Sequence, residues 1–124
     1  MEENSIINEA QAGFRRNYST VDHLFTLLTL VQEQLLNHGK LYVVFIDFKK
    51  AFDLVDRRYL WKILRKNGIR GRMYRAVMSM YEVVKARVRV KGSVTEAFEC
   101  SRGLQQGENC SPILFSLLID DFRK

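Results

Sequence analysis

Apolar residues recur at Val21, Leu24, Phe25, Leu28, Val31 and Leu35, a spacing of three and four that predicts a helix over about 20–37. Ser19 stands before it and Asp22 three residues on. In that arrangement a hydroxyl and a carboxylate each take an unpaired N–H of the first turn. His38-Gly39 closes the run, with Gly39 expected at the C-terminal cap. The pattern then changes. Tyr42, Val43, Val44, Phe45 and Ile46 follow without a polar break, all β-branched or aromatic. They predict a buried strand over 41–47 that ends on Asp47. A carboxylate there requires a cation, a donor or a metal, because burying a naked charge costs more than one strand contributes.

Downstream, Asp56 is placed to cap a helix near 57–67 whose inner face is Leu60, Ile63 and Leu64, with Gly68 at its end. A second helix, about 70–82, is expected to bury Met73, Val77 and Met80. Residues 85–91 alternate strictly: Ala86, Val88 and Val90 on one side, Lys85, Arg87, Arg89 and Lys91 on the other. Gly92-Ser93 supplies a turn and 94–98 a return strand, which together read as a hairpin. A loop over 101–110 leads to Ser111-Pro112, a cap residue and a first-turn proline opening a helix with Ile113, Leu114, Leu117 and Leu118 as its apolar face. The fold class implied is α+β, an antiparallel sheet packed with helices, in a single domain over 1–124.

The composition suits a small globular domain: 124 residues, 47% hydrophobic and 27% charged, with one proline. No apolar run reaches the ~18 residues of a membrane span. Met1-Glu2-Glu3-Asn4 is too polar for a signal peptide, and the first ten residues are expected to fray. The chain therefore reads as intracellular, nuclear or cytoplasmic, with no membrane partner. The net charge of +6 is uneven: eight basic residues and no acid lie between Arg57 and Arg75. Such a face seeks phosphate or is simply a solvated helix surface, and the hairpin cations add a second basic surface. Cys100 and Cys110 lack zinc-ligand or disulfide-scaffold spacing and read as reduced thiols; His23 and His38 have no metal-spaced companion.

Three stretches carry a resemblance. They are Gln11-Ala12-Gly13-Phe14-Arg15, the run from Phe45 through Asp47 and Lys50 to Asp53, and Arg102-Gly103-Leu104-Gln105-Gln106-Gly107 with Ser111-Pro112-Ile113-Leu114-Phe115. Their order and spacing resemble the reverse transcriptase domain of non-LTR (LINE-type) retrotransposons over residues 8–121. The resemblance implies a partial polymerase palm with part of the fingers. It makes Arg15 and Arg16 template or phosphate contacts. Asp47 becomes the catalytic metal ligand, with the Phe48 backbone carbonyl as a second metal contact. Phe52 lies under the sugar, where a ring excludes a ribose 2′ hydroxyl, and Gln106 and Gly107 contact the nucleotide. The implied cofactor is Mg²⁺ or Mn²⁺, since nucleotidyl transfer uses two divalent ions held by hard oxygens. The implied partners are an RNA template, a DNA primer and deoxynucleoside triphosphates. Asp53 and Asp56 read as turn and cap residues.

The chain departs from the family pattern in two ways. Gln105 stands where the commonest form of the loop has Arg, and Glu108-Asn109-Cys110 replaces Cys-Pro-x. The family's second catalytic motif, aromatic-x-Asp-Asp on a hairpin, does not occur within the 124 residues. Ile119-Asp120-Asp121 is not its substitute, because the spacing from Pro112 keeps it in a helix. The chain is thus expected to be a domain truncated at both ends and inactive alone. A non-catalytic remnant that binds nucleic acid is the alternative. A phosphoacceptor role for Asp47 is disfavoured because Lys49 stands where the phosphatase version requires a carboxylate.

Overall fold

Helix α1 runs Thr20–Leu36 and begins as its spacing predicts. The Ser19 hydroxyl accepts the Val21 N–H at 3.1 Å, and the Asp22 carboxylate accepts the Ser19 N–H at 3.0 Å. Its other end differs from expectation. His38, not Gly39, takes the left-handed conformation, with φ 51°. The His38 and Gly39 N–H groups then close on the carbonyls of Leu35 and Gln34, the two-bond pattern that satisfies the last turn.

The structure is a computed structural model describing residues 7–122, so the expectation of fraying over residues 1–6 lies outside the described residues. The chain divides into two compact units, one up to Lys49 and one from Lys50. In the first, only Ile7 and Ala12 are buried among the described residues. The apolar stripe of α1 is open, with Leu24, Phe25 and Leu28 all more than half exposed.

The buried strand expected over 41–47 is not formed. These residues carry no strand pairing, and Tyr42, Val44 and Phe45 are each above 80% exposed. A β-rich composition reports what a segment favours beside a neighbour, and a strand exists only when its N–H and C=O groups meet another strand. No second strand is present among the described residues of this unit.

In the second unit, α2 (Arg57–Lys66) starts at Asp56 as expected. The Asp56 carboxylate accepts the Arg58 N–H at 2.8 Å, and that bond lowers its pKa below the ordinary carboxylate value. Leu60, Ile63 and Leu64 form the inner face, each at 1% exposure or less. They lie where α2 packs on α4 (Ser111–Phe122), which contributes the buried Leu114 and Leu117. Ile113 proves exposed, and Ser111, Ser116 and Asp120 turn inward instead. Asp121 ties the two helices at the surface, accepting from the Tyr59 hydroxyl at 2.8 Å and Lys66 Nζ at 2.6 Å. Ile119-Asp120-Asp121 is helical, as its spacing from Pro112 requires.

Helix α3 is shorter than expected, Gly71–Ser79, and the methionine stripe is not core. Met73 is 62% exposed, Met80 is exposed and Val77 is only half-buried. The reason is the number of neighbours: α3 packs against α2 and no other helix or strand among the described residues. The buried residue is Tyr81, just beyond the helix.

The hairpin is present but thin. Strand β1 (Lys85–Ala86) pairs antiparallel with β4 (Phe98–Glu99), and β2 (Arg89–Val90) with β3 (Ser93–Val94). The turn is Lys91-Gly92, one residue earlier than read from the sequence, and both have positive φ, as a two-residue type I′ turn demands. Two residues separate β1 from β2, whereas three separate β3 from β4, so the return arm is bulged. Thr95 marks the place: its hydroxyl, rather than its carbonyl, accepts the Val88 N–H. Val88 and Val90 are about half exposed, because no layer of the described residues lies over the ribbon. The architecture is thus mixed helices with small antiparallel two-stranded sheets.

Candidate functional site

The loop between β4 and α4 is laced to the chain that precedes α2. The Leu104 N–H donates to the Phe52 carbonyl at 2.8 Å and the Gly103 N–H to the Val55 carbonyl at 2.9 Å. Gln106 Nε2 donates to Asp53 Oδ1 at 3.1 Å. Gly103 has φ 87°, and a Cβ there would lie 2.6 Å from the Asp53 carbonyl oxygen. Only glycine permits both that conformation and that approach. Phe52 stacks on Phe115 of α4, with ring centroids 4.6 Å apart.

Arg57 secures the near end of the loop from inside. It is 9% exposed, and its guanidinium donates to three carbonyls: Gly103 at 2.8 Å, Arg102 at 3.1 Å and Tyr81 at 3.2 Å. It also lies 5.2 Å from the centre of the Tyr81 ring. Tyr81 secures the far end. Its hydroxyl is 2.9 Å from Ser111 Oγ and donates to Glu108 Oε2 at 3.2 Å. Burial raises the Tyr81 pKa; the Ser111 bond opposes this and the Glu108 charge adds to it. Between these ends Gln106 and Gly107 are exposed, and Gly107 has φ 93°. A cavity of about 1000 Å³ opens beside the loop, bordered by Asp53, Lys85, Arg87, Arg102, Gln105 and Gln106.

The residues singled out from the sequence therefore divide. Phe52, Gln106 and Gly107 lie in one unit, on stretches the hydrogen bonds join. Asp47, Phe48, Arg15 and Arg16 lie in the other. Asp47 is exposed, so the desolvation that would force a partner on a buried carboxylate does not act on it here. Arg15 is half-buried in its own turn, donating to the carbonyls of Asn8 at 2.9 Å and Gln11 at 3.2 Å and lying over the Tyr18 ring. Arg16 is exposed. A Mg²⁺-type ion requires several hard oxygens converging on one point. Among the described residues no three His, Cys, Asp or Glu side chains gather in that way, so they do not make a two-metal site by themselves.

The basic face loses one member to the interior. Arg57 is interior, Lys66 is paired with Asp121, Arg58 meets Asp56, and Arg65 lies over Tyr74. All but Arg57 stay exposed, and Lys62, Arg70, Arg72 and Arg75 are the members outside these contacts. Arg57 and Tyr81 are the residues that sequence reading passed over. A signal for Arg57 exists: it precedes Leu60 by three and Leu64 by seven, on the helix's inner face. Tyr81 follows a helix whose apolar stripe is exposed, so no periodicity marks it.

Residues 1–124 match the family described as "Reverse transcriptase (RNA-dependent DNA polymerase)", and the chain belongs to it. Its relatives are non-LTR retrotransposon proteins. It is 27% identical over 118 residues to the "Retrovirus-related Pol polyprotein from type-1 retrotransposable element R2" of Nasonia vitripennis, covering 95% of this chain and 12% of that protein. It is 32% identical over 120 residues to the type-2 element R2DM polyprotein of Drosophila melanogaster, covering 94% and 11%. It is 29% identical over 121 residues to the "Probable RNA-directed DNA polymerase from transposon BS" of the same fly, covering 98% and 13%. The chain spans about an eighth of the length of these curated relatives. Among the described residues no helix is long and apolar enough to cross a membrane.

Proposed function

We propose that this chain is a palm segment with part of the fingers from an RNA-directed DNA polymerase of a non-LTR retrotransposon-like element. The observation that carries the reading is the lacing of residues 52–57 to 102–106, which makes one body of two stretches that such a polymerase uses together. Asp47 supplies one carboxylate ligand for Mg²⁺ or Mn²⁺ in the parent enzyme, and the Phe48 carbonyl a further oxygen. Phe52, steadied by Phe115, presents its ring beneath the sugar of the incoming deoxynucleotide. Gln106 and Gly107 meet the nucleotide, and Arg15 and Arg16 border the RNA template. The 124 residues form a single domain's fragment that lacks the aromatic-x-Asp-Asp motif, and one carboxylate does not hold two ions, so this stretch alone is inactive.

Primer extension by the parent polymerase tests the assignment. Asp47→Asn is expected to abolish metal-dependent extension while primer–template binding persists; extension within about tenfold of wild type overturns the role. In the same assay Phe52→Ala is expected to admit ribonucleotides, and unchanged sugar selectivity returns Phe52 to packing alone. The exposed Lys62, Arg70, Arg72 and Arg75 favour a second reading, nucleic-acid binding without chemistry. Extension by the wild-type parent separates the two.

A further inference from the structure

Arg57 and Tyr81 are buried polar residues that the proposed chemistry does not use. A buried guanidinium is costly where a leucine would anchor a helix equally well. What it provides is direction: a planar fork of donors fixes the orientation of each carbonyl it meets, which an ammonium on a flexible stem does not. Here the fork reaches Arg102 and Gly103 at the near neck of the loop and the Tyr81 carbonyl behind it. Tyr81 then reaches Glu108 and Ser111 at the far neck through its hydroxyl. One buried pair thus holds both necks, and Gln106-Gly107 lies exposed between them.

We propose that Arg57 and Tyr81 are positioning residues for the nucleotide-contacting tip Gln106-Gly107, acting through the two necks of the 102–111 loop. This rests on the reading of the chain as part of a polymerase and deepens it. A tip displaced by a fraction of an ångström loses ground-state and transition-state contact with the nucleotide alike. The loss is therefore read in KM for the nucleotide rather than in kcat.

The test uses Arg57→Lys and Tyr81→Phe in the parent polymerase, with steady-state kinetics and amide hydrogen exchange on the same preparations. Arg57→Lys is expected to raise KM for deoxynucleotide about tenfold, with kcat within about threefold and primer–template affinity unchanged. The Gly103 and Leu104 amides should exchange faster while Ile63 and Leu64 in α2 keep their protection. Tyr81→Phe keeps the ring and the carbonyl and should shift KM in the same direction by less. If α2 protection collapses in Arg57→Lys, Tyr81→Phe decides. Unchanged KM with faster Gly103 exchange overturns the proposal, as does a loss confined to kcat. If the wild-type parent extends no primer, the polymerase reading fails separately. The clamp then stands only if Arg57→Lys speeds exchange at Gly103 and Leu104, Tyr81→Phe speeds it at the Ser111 amide of the far neck, and both leave α2 intact.

Discussion

At Gly103 two demands fall on one residue. The backbone is in the left-handed region, and the space where a Cβ would stand is taken by the Asp53 carbonyl. Gly103→Ala meets strain and overlap together, each about 1–3 kcal/mol. The expected outcome is a loss of about 2–4 kcal/mol in the stability of the second unit, read as a lower urea midpoint. A midpoint unchanged from wild type would show that the loop shifts away from Asp53 freely. Arg57 shows the opposite relation between residue type and place. Counted by charge it belongs to a basic surface, yet its position three before Leu60 puts it on the inner face, where carbonyls receive it. Charge runs read along the chain say nothing of which members point inward; helical phase does.

Among the elements, α2 was legible because it has a cap signal and a three-four apolar spacing that finds a partner; α4 shares such a spacing but begins one residue early, with Ser111 inside the helix and its hydroxyl on Tyr81. The brace between them is sensitive to pH. The Asp121 bond raises the pKa of Lys66 and of the Tyr59 hydroxyl above their ordinary values. A raised lysine pKa gives stability that is fully present below the ordinary value and lost as pH rises through the raised one, and a phenol held protonated has the same sign. The urea midpoint is therefore expected to fall as pH rises above about 10, and Asp121→Asn should flatten that dependence. Equal slopes in both proteins would remove Asp121 as its cause. The element that failed to form is the 41–47 strand; α3 and the hairpin formed, with their apolar faces left open. Their periodicities are correct for a helix and a ribbon, but periodicity names a face without naming what covers it.

For the molecule as a whole, the division at Lys49–Lys50 separates a unit with two buried apolar residues among its described ones from a unit that holds the α2–α4 core. Seven of the eight clustered cations are exposed, and Lys62, Arg70, Arg72 and Arg75 lie outside the contacts with Asp56, Asp121 and Tyr74. If these four meet phosphates, affinity for nucleic acid should fall about a hundredfold between about 50 and 200 mM salt. Replacing Arg72 and Arg75 with serine should lower the log–log slope by about two. Filter binding across a salt series measures both, and a flat dependence would make these cations a solvated helix face.

Local chemistry was determined by the sequence: where α1 and α2 begin, where α2 ends, and the ordered stretches that mark the reverse transcriptase family. Caps, spacing and motif order involve neighbours within a few residues, so the chain states them directly. Tertiary structure alone decided which carbonyls receive Arg57, that Tyr81 joins two ends of a loop, that Asp53 holds Gln106, and that residues 42–46 stand open. Each of those depends on a partner about 20 to 55 residues away or on the lack of one among the described residues, and burial and pairing are properties of the partner as much as of the residue.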